Sequence, residues 1–261
     1  MRNVLWQTAS AVLQKLAASK VSIIFWREFT AYFNTTLAYV FVAIFVALTS
    51  AFAFYLGNFF SRGQADLQVF FQYHPWIYLI LVPAVAMRLW AEERKSGTIE
   101  LLMTLPITPI QAIVGKFLAA WAFLGVALIL TFPMWITVNY LGNPDNGVIF
   151  ASYIGSLLMA GAFLSIGSFI SALTKNQVIA FIVSAVICFL FVMSSYPLVL
   201  GFFRTWAPGF VVAGIESMSF LEHFQQITQG LITLATLIFY LSVIAFFLFA
   251  NMLAVEQKKA E

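Results

Sequence analysis

Charge is what this chain has least of. Asp, Glu, Lys and Arg make up 9% of its 261 residues, against 62% hydrophobic, where soluble domains carry roughly a quarter charged residues. So few polar groups cannot coat even one large core, and the solvent of most side chains must be lipid. The same deficit excludes a disordered chain and a nucleic-acid-binding domain. The single cysteine, Cys188, sits inside an apolar run and excludes a disulfide scaffold.

Catalytic chemistry is scarce as well. The two histidines, His74 and His223, read as lying near the outer surface; no pair spaced i, i+4 could hold zinc, so no metal site is expected. Gly155-Ser156 and Gly167-Ser168 invite comparison with serine intramembrane proteases, but no histidine is expected within a span to activate either hydroxyl. The span interiors read as free of Asp, Glu, Lys and Arg, leaving no mid-depth carboxylate for a proton relay. The only Gly-Lys dipeptide, Gly115-Lys116, has Ile110 where a phosphate loop needs glycine and Phe117 where it needs a hydroxyl. No catalytic residue and no cofactor of the chain's own are expected; any nucleotide chemistry belongs to another chain.

What is present is six long apolar runs. An ionised side chain at mid-bilayer costs about 2.5–3.5 kcal/mol on insertion scales, and about 20 residues cross the hydrocarbon. The runs predict helical spans over 37–59, 76–90, 111–140, 148–173, 178–200 and 231–253. The second is the weakest, being interrupted by Pro75 and Pro83 and continuing into charged residues. Basic residues set the orientation. Eleven of 13 fall in the N-terminal segment, the loop after the second span, Lys175 and the tail, and only Arg62 and Arg204 fall opposite. By the positive-inside rule both termini and the second loop face the cytoplasm. Trp26, Trp76, Trp90 and Trp206 lie near predicted span ends, where an aromatic belt or ordinary lipid-facing bulk accounts for them. Leu5, Ala9, Val12, Leu13 and Leu16 repeat at helical spacing opposite Lys15 and Lys20, which suits a helix on the inner membrane surface and is no signal peptide.

The informative loop runs from Arg88 to Pro109. Glu92, Glu93, Arg94 and Lys95 continue the second span, Gly97 suits the left-handed turn that ends a helix, and Thr98 with Glu100 restarts one. Pro106 stops it after about two turns. This short helix carries Ile99, Leu101, Leu102, Met103 and Leu105 into a loop expected in water, so something must cover them: the bundle, the headgroups or another protein.

The stretch Glu-Glu-Arg-Lys-Ser-Gly-Thr-Ile-Glu-Leu-Leu-Met-Thr-Leu-Pro-Ile-Thr, from Glu92, resembles the cytoplasmic coupling segment of ABC-2 type permeases. Trp26-Arg27-Glu28-Phe29-Thr30 and the residues after it are similar to the start of the first span in six-span members related to gliding-motility permeases, and His223-Phe224 followed by Gly230 fits as well. The resemblance covers essentially the whole chain, 1–261, as a single transmembrane domain. It implies an all-α polytopic membrane protein with six transmembrane helices, an N-terminal interfacial segment (1–36) carrying Arg27 and Glu28, a coupling segment (91–110), and short re-entrant helices before the last span (201–230). It implies a permease subunit of an ATP-driven exporter in the bacterial-type inner membrane. Expected partners are two cytosolic ATPases, which bind the ATP and magnesium, a second permease copy and an outer-face auxiliary subunit. Glu92, Glu93, Arg94, Gly97, Thr98, Ile99, Glu100, Leu101, Leu102 and Pro106 are the candidate ATPase-coupling residues. Arg204, Glu216, Glu222 and His223 form a candidate outer gate or a solvated rim. Gly161, Ser165, Ser168 and Ala172 form a small-residue stripe suited to helix packing within the bundle or between copies. A non-transporting component that passes ATP-driven motion to an outer partner remains the other reading.

Overall fold

The computed structural model describes residues 20–97 and 107–257. It is all-helical, 81% helix, with no strand among the described residues. The N-terminal stripe before Lys20, residues 98–106 of the coupling segment and the tail beyond Gln257 lie outside the described residues.

Helix α1 (Lys20–Phe33) leads into α2 (Thr36–Ala51), which ends in a wider π-helical turn, Phe52–Leu56. A short α3 (Gln68–Phe71), α4 (His74–Ala86) and α5 (Arg88–Ser96) follow one another as a single rod of 29 residues, Gln68–Ser96. The second span thus begins eight residues earlier than the sequence reading placed it. Pro75 opens α4 in its first turn, where its missing N–H costs nothing, and Pro83 is carried inside it. Next come α6 (Pro109–Ile129) and α7 (Pro133–Leu141), a stacked pair, then α8 (Asn146–Leu173), unbroken for 28 residues. The fifth span is shorter than expected. Helix α9 (Gln177–Met193) stops, and α10 (Pro197–Arg204) leaves at 76°. The residue before a proline disfavours helical geometry, and Tyr196 is extended at φ −69°, ψ 135°. Helices α11 (Gly209–Ser217) and α12 (Phe220–Thr228) complete the segment before α13 (Leu234–Gln257). Gly214 lies inside α11. Among the described residues five helical stretches are long and apolar enough to cross a membrane, or up to six if the bent α9–α10 pair is one span.

The core is built around α8. It packs against α4, α5, α6, α9, α12 and α13, and it can do so because its surface is nearly flat. A Cβ added at Gly155 would stand 2.8 Å from Ile227 of α12, one at Gly161 2.8 Å from the Trp121 indole of α6, and one at Gly167 2.4 Å from the Ala86 methyl of α4. Along the same helix Ser152, Ser156, Ser165, Ser168 and Ser171 are all buried. The stripe Gly161, Ser165, Ser168 and Ala172 therefore faces the chain's own helices: Gly161 meets α6 and α13, and Ser168 accepts from Trp90 Nε1 at 3.3 Å and Asn251 Nδ2 at 2.7 Å. Trp90, read from sequence as a belt residue or lipid-facing bulk, is fully buried and makes this contact, whereas Trp26 and Trp206 are exposed.

Gly167→Ala is expected to lower the thermal midpoint of the purified protein, an overpacking cost of about 1–3 kcal/mol. Adding Ala86→Gly should restore part of it, the remainder reflecting the roughly 1 kcal/mol lower helix propensity of glycine. Fluorescence-detected size-exclusion after a heating series reads both. No rescue by the second change would show that the close approach of α4 to α8 is not what limits position 167.

Candidate functional site

Charged residues gather where α1, α5 and the start of α6 meet, among them Glu28, Glu93 and Lys116. Helix α1 is held by an i, i+4 ladder of rings, Phe25 on Phe29 at 5.5 Å and Phe29 on Phe33 at 5.2 Å. It lies close along α6 because position 115 is glycine: a Cβ there would meet Ile24 Cγ2 at 2.8 Å and the Val21 carbonyl at 3.2 Å. Tyr32 stacks on Phe123 of α6 at 4.9 Å. This seating turns Glu28 toward Lys116.

Lys116 is the centre of the site. Its residue is 3% exposed, and it lies within the third span as the sequence predicted that span, which corrects the reading that span interiors carry no charge. Its Nζ stands 2.7 Å from Glu93 Oε1 of α5 and 3.3 Å from Glu28 Oε1 of α1, and lies 5.5 Å above the Trp90 ring. One ammonium thus joins three helices from distant parts of the chain. An isolated buried ammonium is costly, and two carboxylates with a ring face make the position tenable. Burial would push the Glu28 carboxyl up, but Lys116 and then Arg27 more than offset it and hold it below its ordinary value. Arg88 Nε donates to Glu92 Oε2 at 2.9 Å one turn along α5. A cavity of about 350 Å³ opens here, bounded by Glu28, Tyr32, Arg88, Glu92, Glu93 and Lys116.

The far side of α5 is tied to α8. Arg94 Nη1 donates to the Ala172 carbonyl at 2.5 Å, in the last turn of α8, where a cation also favours the negative end of the helix dipole. Ser171 Oγ accepts from the Trp90 and Ala91 amides at 3.1 and 3.0 Å and donates to the Met87 carbonyl at 2.9 Å. It thereby satisfies the backbone groups released where α4 gives way to α5. Gly97 then closes α5 in the left-handed region, φ 74°, a conformation that glycine adopts without steric cost. The chain returns at α6 through a capping box: Thr108 Oγ1 accepts from Gln111 N at 3.4 Å, and Thr108 N donates to Gln111 Oε1 at 3.1 Å, with Pro109 in the first turn. Thr-Pro-x-Gln is a start signal legible in the sequence; the sequence reading began that span two residues late. Of the candidate coupling residues, Glu92, Glu93, Arg94 and Gly97 are in this site, while Thr98, Ile99, Glu100, Leu101, Leu102 and Pro106 lie outside the described residues.

At the opposite end of the bundle the proposed gate residues are not brought together. Arg204 ends α10 and Glu216 lies near the end of α11, both exposed. Glu222 Oε1 accepts from Gln226 at 3.4 Å. His223 donates from Nε2 to the Ser217 carbonyl at 3.0 Å and stacks on Phe239 at 4.2 Å, which makes it a tie between α11, α12 and α13.

His74 corrects the reading that no histidine lies within a span. It opens α4 fully buried, with Nδ1 2.8 Å from Ser156 Oγ of α8. Phe45, Phe70, Phe71 and Tyr78 surround the ring, and Nε2 has no partner among the described residues. A catalytic serine needs a base oriented by a third group and a path for substrate. Here no carboxylate holds the imidazole and neither side chain reaches solvent, so the pair is a buried cross-link between the second and fourth spans. The earlier start of the second span is what carries His74 inward.

Among protein families, the model described as ABC-2 family transporter protein matches residues 22–256. Among curated proteins none matches.

Lys116→Met is expected to destabilise the chain by about 3 kcal/mol, the low end for a broken buried pair because both carboxylates keep some exposure. Combining it with Glu28→Gln and Glu93→Gln should recover most of that loss. Because the Glu28 carboxyl is held below its ordinary value of 4.5, the stabilisation it gives is complete above that pH and fades as pH falls through its lowered value. Thermal midpoints measured from pH 7 down to pH 3 should therefore drop less for Glu28→Gln than for the unchanged protein. Parallel curves would remove Glu28 from the ion-paired layer.

Proposed function

The chain belongs to the ABC-2 family of transporter proteins, and from that premise we propose that it is the permease subunit of an ATP-driven exporter whose ATPases are separate chains. One observation carries the reading. The second and third spans, which flank residues 98–106, are clamped to each other and to α1 through Lys116, Glu93 and Glu28. A force applied to the intervening segment would then move the two spans and α1 as one body rather than bending a loop. Ile99, Leu101 and Leu102 would seat in a groove of a cytosolic ATPase, with Glu92, Glu93 and Arg94 flanking the contact. Gly97 and Thr108 fix where the segment leaves and rejoins the spans.

In this assembly two ATPase subunits bind the ATP and magnesium, and a second copy of the permease completes a homodimer. The protein sits in a bacterial-type inner membrane with both termini in the cytoplasm, as the 11 to 2 basic asymmetry favours. Arg204, Glu216, Glu222 and His223 would then lie on the outer face, where an auxiliary subunit could meet them. A component that passes ATP-driven motion to such an outer partner without transporting would use the same clamp.

Leu102→Asp places a carboxylate in an apolar groove, a large penalty unless it protonates. It is expected to abolish co-purification with the cognate ATPase or to uncouple its hydrolysis, with the permease still monodisperse. Glu100→Ala should be milder, losing a helix-dipole interaction of about 0.3–1 kcal/mol. Full retention of ATPase binding and hydrolysis by the Leu102 variant would defeat the docking reading.

A further inference from the structure

At the end of the bundle away from the Lys116 layer, a run of polar side chains joins α11, α12 and α13. His223 stands at its centre. The ring is half-buried, with Nε2 3.0 Å from the Ser217 carbonyl at the end of α11 and Nδ1 3.3 Å from Thr236 Oγ1 in the first turn of α13. Thr236 is fully buried and touches two further groups, Thr233 Oγ1 at 2.9 Å and Gln226 Oε1 at 3.3 Å. Gln226 Nε2 in turn reaches Glu222 Oε1 at 3.4 Å.

The direction of the bonds along this run fixes the charge on the ring. A carboxylate only accepts, so Gln226 turns its NH2 to Glu222 and its carbonyl oxygen to Thr236. The single hydroxyl hydrogen of Thr236 goes to that oxygen. Thr233 Oγ1 already accepts from Thr236 N at 3.2 Å, so its own hydrogen points to Thr236 Oγ1. Thr236 therefore presents a lone pair to Nδ1, and the Ser217 carbonyl presents only lone pairs to Nε2. Both contacts are satisfied together only by the imidazolium, whose two nitrogens both donate. A neutral ring loses a bond in either tautomer. With Nε2–H alone, the Thr236 hydrogen must leave Gln226 for Nδ1; with Nδ1–H alone, lone pairs face each other at Ser217. The surroundings favour the same charge. The ring lies on the face of Phe239, centroids 4.2 Å and planes 25° apart, as a cation does on an aromatic ring. The charged residues of the three helices that meet here are Glu216 on α11, Glu222 on α12 and, at the far end of α13, Glu256. Helices α8 and α9, which also pack on α12, carry none, and Arg204 at the end of α10 is exposed. Tyr240, beside the ring, gives its hydroxyl to the Phe220 carbonyl at 2.9 Å.

We propose that His223 is a proton-operated latch: as an imidazolium it ties the end of α11 and the start of α13 to α12, and on losing its proton it releases the Thr236–Gln226 bond that holds α13. Because the latched form carries the proton, the latch is complete on the acid side of the interval in which histidine changes charge, about pH 5–8, and is lost as pH rises through it. With both termini in the cytoplasm, as proposed above, the proton arrives from the outer side. The latch itself rests neither on that orientation nor on an ATPase.

The test uses the full chain in phosphatidylcholine nanodiscs. Isotope labelling of the histidine nitrogens for magnetic resonance gives signals from two residues only, His74 and His223. One of them should report both ring nitrogens protonated at about pH 5.5 and a single one at about pH 8, and that signal should be missing from His223→Gln. In Thr236→Val, which takes away the Nδ1 acceptor, the change should move to lower pH. Thermal midpoints supply a second reading. The lead of the unchanged protein over His223→Gln should be about 2–4 °C larger at pH 5.5 than at pH 8, the effect of about one hydrogen bond in a chain of this size. Glu28, whose carboxyl titrates below 4.5, stays ionised across this window, and His74 is common to both proteins. Neither histidine doubly protonated at pH 5.5, a titrating signal that survives in His223→Gln, a transition that Thr236→Val leaves in place, or a midpoint lead that is the same at both pH values would each overturn the proposal. The first reading needs no variant, so a substitution that fails to fold cannot hide the answer. ATPase coupling is read by the Leu102→Asp experiment, so either proposal can fail without the other.

Discussion

Close approach to α8 is the constraint on which the other helices depend. Lipid offers apolar helices no hydrophobic reward for associating, so their contact rests on dispersion at short range and on hydrogen bonds. Both require small side chains. Gly155, Gly161 and Gly167 bring α12, α6 and α4 to distances at which a Cβ would collide. Serines of the same helix do the polar work: Ser156 bonds His74, Ser168 takes two donors, and Ser171 repairs the backbone between α4 and α5. Larger residues there would lose the packing and the hydrogen bonds together.

The charged layer follows from that packing. Because α4 and α5 are held against α8 at Ser168, Ser171 and Ala172, Glu93 emerges at a fixed place beside Lys116. Because Gly115 lets α1 lie on α6, Glu28 arrives from the other side. An ammonium between two carboxylates has directional tolerance but little tolerance for separation, since the attraction falls with distance and water competes for every ångström gained. The layer is therefore as rigid as the helices beneath it.

The sequence displayed what depends on local pattern and hid what depends on pairing. Charge-free runs gave the spans, basic residues clustered at one end, and Gly97 ends a helix in the left-handed region as a glycine after Glu-Glu-Arg-Lys-Ser should. Lys116 was counted as loop charge because insertion rules treat a charge as a cost, and the two carboxylates that remove the cost lie 88 and 23 positions away. His74 seemed superficial for a similar reason: the rod beginning at Gln68 is secured by contacts with α2 and α8, which no local window contains. Trp90 at a span end reads as an interfacial anchor until Ser168 is known to face it. The bend after Met193 was legible, since Tyr196-Pro197 marks it, but the apolar run continues across it and hydropathy alone passes through.

Both ends of the bundle meet on the same two helices. The rod from Gln68 to Ser96 borders a cleft at its first turn and the Lys116 layer at its last, and α8 runs beside it from Asp145 to Ala172 with the same two regions at its ends. Between them the pair is joined by His74 with Ser156, by the Ala86–Gly167 contact and by Ser171. Bonds spread along the whole length oppose sliding of one helix past the other, because every one would have to break in the same step. A displacement imposed at the charged end is then transmitted as translation or tilt of the pair, and it reaches the cleft wall at Gln68 without needing any flexible element between. Buried polar groups make this coupling stiff: the His74, Ser156 and Ser171 side chains are sealed from solvent, so breaking their bonds would leave polar groups unsatisfied at a desolvation penalty.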